Sequence, residues 1–295
     1  SDPLGRQELF TGLIDSYLDE ASSGSEVVLP SGYINGLSVD INKNLKIQVD
    51  NSGQLLVGSI ALTNGADLLD GSTGLLAPVV AVNAGSTIQD GITLAQVLGT
   101  VSVTAGAGTG QTVDYNKNVY LTGSDVLNEL TLSMDGTGKI SGFTANTVNV
   151  GSLAKIQQGV DLTESGGTVN VAAGTYKENL VIAKSVTIQG AGSDGSSDGT
   201  TIDGGQVGST ITIKSGNTVT LADLMVTNGK ADYGGGIYSA GTLTLQDAVV
   251  AGNTASSNGG GIHNILGAVS LSGHSTISDN TASSNGGGIY NMGGS

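Results

Sequence analysis

Asp194, Asp198 and Asp203 share one short stretch, GSDGSSDGTTIDGG at 192–205. Oxygen ligands on a pliant loop suit Ca²⁺, so Ca²⁺ is the one cofactor the sequence suggests and these carboxylates are its candidates. The spacing is not that of an EF-hand, and Asp, Gly and Ser are also ordinary turn formers. His263 and His274 are the only histidines. Two isolated imidazoles do not make a metal centre. His263 stands where sister repeats carry Tyr238 and Tyr290, which reads as a tolerant surface or rim position. His274, in SGHST, reads as a loop residue without a partner.

Other chemistry is poorly provided for. Arg6 is the only arginine, and no Lys or Arg follows Lys230. From 231 onward the acids are Asp232, Asp247 and Asp279, each at a different place in its repeat. Eliminative cleavage of a polysaccharide needs a positioned base, and glycoside hydrolysis needs paired carboxylates. The chain has no cysteine, which removes thiol catalysis, thiolate metal sites and disulfides. The expectation is a protein without catalytic residues and without enzymatic activity. The net charge of −15 argues against nucleic acid and anionic membranes as partners, since both select clustered Lys and Arg. No apolar run is long enough for a transmembrane segment.

The elements that must carry these residues are strands. The 49 glycines, 3 prolines and absence of Trp accompany many short Val/Ile/Leu/Thr runs broken by Gly, Asn, Asp and Ser. That pattern describes an all-β protein with many turns. Residues 1–24 read as one helix, with Leu9, Phe10, Leu13, Ile14, Tyr17 and Leu18 on one face. Residues 27–150 alternate as strands at 37–41, 45–49, 100–103, 118–121 and 129–134. No fixed period is evident there. A β-sandwich is the simplest solution and an irregular solenoid its rival. The domain boundary falls at 150, giving 1–150 and 151–295.

The second part repeats. NTASSNGGGI occurs at 253–262 and again at 280–289. Ile237, Ile262 and Ile289 recur at steps of 25 and 27. Leu243, Leu245 and Val250 precede Val269, Leu271 and Ile277 by 26, 26 and 27, and follow Val219, Leu221 and Val226 by 24. Val186 and Ile188 precede Ile211 and Ile213 by 25. A period near 25 with strand alternation inside it marks a β-solenoid. GGG then makes a corner, the Ile fills the core, and Asn253 and Asn280 stack as a ladder. Thr242 and Thr244 suggest a flat-ligand face, but Ser270 replaces Thr244 in the next repeat, and Thr is a common outward strand residue.

LAKIQQGVDL (153–162), GTVNVAAGTYKENLVI (167–182) and KSVTIQGAG (184–192) together resemble the opening of a right-handed parallel β-helix of the pectin-lyase-like type. GGGIYSAGTLTLQDAVVAGNTASSNGGGIHN (234–264) is similar to repeats of bacterial surface β-helices, including autotransporter and polymorphic-outer-membrane-protein passengers. The resemblance covers about 152–295. It implies a helix plugging the first coil, strands winding upward from it, and an extracellular or cell-surface location.

The chain begins SDPLGRQ and stops at GGGIYNMGGS, inside a repeat. This leads to the expectation of a processed form or fragment, with an open last coil covered by further repeats or by self-association, head to tail. The expected function is a non-enzymatic surface protein, a filament subunit or adhesin stalk. The alternative is a polysaccharide-binding or polysaccharide-degrading β-helix, with surface glycans as partners. The scarcity of aromatic residues weighs against glycan binding.

Overall fold

The structure is a computed structural model. It describes residues 12–14, 16–70, 72–103, 112–115, 120–123, 127–134, 139–140 and 144–293. The chain divides into two compact units, Ser1–Leu130 with Gly136–Thr144, and Thr131–Asp135 with Ala145–Ser295.

In the first unit, helical residues 12–14 and 16–20 bury Ile14 and Leu18. Leu13 and Tyr17, expected on the same apolar face, are exposed at 43% and 45%. The buried stripe is therefore narrower than the sequence pattern; Leu9 and Phe10 lie outside the described residues. The strands that follow are parallel. Gly32–Ile41, Leu55–Leu62, Leu75–Val82, Ala95–Val103, Tyr120–Gly123 and Lys139–Ile140 pair in that order. Glu26–Leu29 pairs with Lys46–Val49 in a smaller parallel ladder. Parallel pairing through long connections makes this unit the solenoid alternative and not the sandwich. Alternation along a strand shows that one face is buried; it carries no information about the direction of the neighbour.

A period is present after all. Val39, Ile60, Val80, Val101, Leu121 and Ile140 are register partners at steps of 21, 20, 21, 20 and 19. Register shifts between Ile34 and Ser38, and between Ala77 and Val79, hide it by moving the flanking alternation out of phase.

The second unit stacks four parallel ladders. The first joins Ala145–Val150, Thr163–Val171, Val186–Gln189, Thr218–Ala222, Thr242–Gln246 and Val269–Ser272. The second joins Gly174–Lys177, Thr200–Asp203, Met225–Thr227, Val249–Ala251 and Thr276–Ser278. The third joins Leu180–Ile182, Ile211–Ile213, Ile237–Ser239, Ile262–Ile265 and Ile289–Met292. A short fourth joins Lys230–Tyr233, Thr254–Asn258 and Thr281–Ala282. From Thr163 onward, each coil visits the first, second, fourth (where present) and third ladders in turn.

The core is a set of aliphatic columns. Val148, Val169, Ile188, Leu221 and Leu245 are register partners in succession, each fully buried. Ile211, Ile237 and Ile262 form another. One expected pairing changes. Ile211 and Ile213 stack on Leu180 and Ile182, while Val186 and Ile188 stack on Val219 and Leu221. The 192–199 excursion lengthens that coil to 33 residues, so a step of 25 there links two different ladders.

The helix Ile156–Leu162 does not sit beneath the first strand layer. It lies between Ala145–Val150 and Thr163–Val171, which pair with each other. A second helix, Ile88–Leu94, is set in the same way between Leu75–Val82 and Ala95–Val103. The two segments match at a constant offset of 68: Ile88/Ile156, Gln89/Gln157, Gly91/Gly159, Leu94/Leu162, Gly99/Gly167, Thr100/Thr168, Val101/Val169 and Val103/Val171. A Cβ on Gly91 would meet Val82 and Val101, and one on Gly159 would meet Val150 and Val169. The helix rests directly on the valine columns, and a methyl group has no room.

Candidate functional site

The corner made by the repeated decapeptide concentrates the polar and aromatic groups of the later coils. Gly234 and Gly259 take φ of +61° and +68°, and a Cβ on either would run into the backbone of the strand that follows. Only glycine turns the chain so tightly.

Asn253, buried without exposure, lies beneath this corner. Its Nδ2 donates to the carbonyls of Val226 and Ala251, both at 3.1 Å, and to Asn280 Oδ1 at 3.0 Å. Its Oδ1 accepts from the Gly229 amide at 2.8 Å, and its own amide donates to Asn280 Oδ1 at 3.0 Å. Asn280 Nδ2 donates to Val250 O at 2.8 Å. Separate carboxamide pairs join Asn264 to Asn291 and Asn285 to Asn258. Ile237 and Ile262 are fully buried, whereas Ile289 is 39% exposed.

Outside the corner stands a stack of rings. Tyr238, His263 and Tyr290 are register partners in three successive coils. The Tyr238 and His263 rings are 5.5 Å apart and nearly coplanar in orientation, at 2°; His263 and Tyr290 are 5.2 Å apart at 22°. Tyr233, from the short fourth ladder, leans on His263 at 5.0 Å and 60°. His263 is 4% exposed, not a rim residue, because rings cover it on three sides. Its Nδ1 is buried without a hydrogen-bond partner, and burial lowers its pKa. The stacked ring faces are turned to one another, which leaves them closed to a planar ligand.

Of the three candidate Ca²⁺ residues, Asp194 and Asp198 share the 192–199 excursion, while Asp203 stands apart at the end of Thr200–Asp203. Asp194 Oδ1 accepts from the Ser196 amide at 3.0 Å, a bond that lowers its pKa. The Asp198 amide donates to Ser196 Oγ. Asp203 ends a strand, accepting from the Gly205 amide and from Asn228 Nδ2. Among the described residues no three His, Cys, Asp or Glu side chains converge. His274 does have a partner: its amide and its Nδ1 both contact Asp247 Oδ1, at 2.8 and 3.2 Å. The amide contact is the main reason the Asp247 pKa is lowered.

The structure also contains features that sequence reading missed. Thr147, Thr168, Thr187, Thr220 and Thr244 form one column of register partners, with Ser270 next. Coil steps of 21, 19, 33, 24 and 26 residues conceal this column from any fixed-period search. Glu178, from the adjacent coil, caps the Ile156–Leu162 helix by accepting from the amides of Ile156 and Gln157 at 2.8 and 3.1 Å. A cavity of about 380 Å³ in the first unit is lined by Ile47, Leu75 and Leu94 together with Gln54, Ser72 and Thr93, and among the described residues no ionisable side chain lines it.

Residues 274–292 match the Chlamydia polymorphic membrane protein repeat. The matched stretch is the coil carrying His274, Asn280, the second GGG corner and Tyr290. No curated protein and no solved structure matches the chain. No helix among the described residues is long and apolar enough to cross a membrane, which has no bearing on β-barrels.

Proposed function

We propose that this chain is a surface-exposed, non-enzymatic passenger-type scaffold, a β-solenoid that holds binding surfaces away from a cell envelope. The observation that carries the reading is the match of 274–292 to a membrane-protein repeat, located in a coil whose strands continue the solenoid ladders in register. A stalk needs rigidity along its length, which stacked columns and Asn pairs supply. An adhesin or filament role is part of this proposal.

Antibodies raised against residues 231–293 test the location. They are expected to label intact source cells and to lose their epitope when those cells are treated briefly with protease. Labelling only after permeabilisation would overturn the reading.

A further inference from the structure

We propose that the Tyr233–Tyr238–His263–Tyr290 cluster is an acid-sensitive clasp, closed by neutral imidazole and opened by its protonation. His263 packs between rings from the coil before and the coil after it, with Tyr233 across its remaining flank. A neutral imidazole tolerates this position because one ring nitrogen carries no proton. Nδ1 is buried and has no hydrogen-bond partner. Protonation puts N–H groups on both nitrogens, so a buried cationic donor then lacks both an acceptor and water. Tyrosine faces attract a cation, but the aqueous imidazolium keeps hydrogen bonds that the buried one forfeits.

No nearby charge compensates. The strand Lys230–Tyr233 carries Lys230, Asp232 and Tyr233; Ile237–Ser239 and Ile289–Met292 contribute only the phenols of Tyr238 and Tyr290. The strands Thr254–Asn258 and Thr281–Ala282 carry no ionisable side chain. Asp232 accepts from the Ser256 hydroxyl, and among the described residues the salt bridges are Lys46–Glu26 and His274–Asp247, neither involving His263. Desolvation accordingly lowers the His263 pKa in the folded protein. With the folded value below the unfolded one, the clasp is fully closed above the unfolded pKa of about 6.5. It weakens as the pH falls from there through the folded pKa. The clasp has one imidazole rung, His263, between the rings of Tyr238 and Tyr290.

The test combines an NMR titration of the His263 ring with amide-exchange protection factors for Gly259–Ile262 and Gly286–Ile289 at pH 7.5 and pH 5. In the full chain, His263 should titrate below ordinary histidines. Corner protection should drop in acid, about tenfold for each unit by which the pKa is lowered. His263→Tyr, which copies the sister coils, should abolish the acid loss, and His263→Phe provides a second non-titrating ring. His274→Asn should leave the acid loss intact. Titration at or above the ordinary value, or equal acid loss in wild type and both ring variants, would overturn the proposal.

Discussion

Asn253 shows how a single side chain fixes a coil. It satisfies the Gly229 amide and reaches two carbonyls in buried contacts, and it joins Asn280 in a part-buried one. Asn253→Ala leaves these groups buried and unpaired, and should cost about 2–3 kcal/mol in chemical denaturation. Asn285→Ala, at an exposed position, should change stability by less than about 0.5 kcal/mol. Asp247 offers a residue-scale pH prediction. Its lowered pKa means that its interaction with the His274 backbone is present above the unfolded carboxylate value and lost as the pH falls through the folded one. His274→Ala removes the imidazole but keeps the amide, the larger cause, so a carboxylate NMR titration should show Asp247 still lowered. A return to the ordinary value would contradict this assignment.

At the scale of elements, the two short helices depend on their surroundings more than on propensity. Seven residues are too few to be helical alone. The Ile156–Leu162 helix has no side-chain cap from its own N-cap residue, Lys155, and takes Glu178 from the adjacent coil instead. Glu178→Ala should therefore cost about 1–2 kcal/mol, measured by thermal unfolding. Gly159→Ala sets a modest propensity gain against a Cβ placed 2.5 Å from Val150 Cγ2 and 3.0 Å from Val169 Cγ1. Both valines are buried and have nowhere to move, so overpacking should dominate, with a net loss of about 1–2 kcal/mol. The corners follow a similar logic. Asp223, Asp247 and Gly273 share one corner position and all take positive φ, where only Gly, Asn and Asp are readily accommodated.

For the molecule as a whole, a solenoid distributes its stability between neighbouring coils. Leu245 is fully buried between its register partners Leu221 and Leu271. Leu245→Ala should cost about 2–5 kcal/mol. Hydrogen exchange should rise in Thr218–Ala222 and Val269–Ser272 and remain unchanged in Leu55–Leu62. A uniform rise throughout the chain would mean cooperative unfolding beyond nearest neighbours.

Within 219–277 the sequence alone determined a great deal. Leu243, Leu245 and Val250 recur at near-constant steps because each coil must bury the same face, and GGG marks the corner because other residues cannot turn there. Where coil length varies, periodicity fails. The 33-residue coil misdirected Val186 and Ile188, bulges hid the column from Val39 to Val101, and uneven steps concealed the threonine column. Sequence spacing also could not show that Tyr233 reaches His263, that Glu178 caps a helix 21 residues earlier, or that Asp247 holds His274. Burial patterns are local and are written into the chain, whereas partners in adjacent coils are chosen by register, which only the folded stack defines.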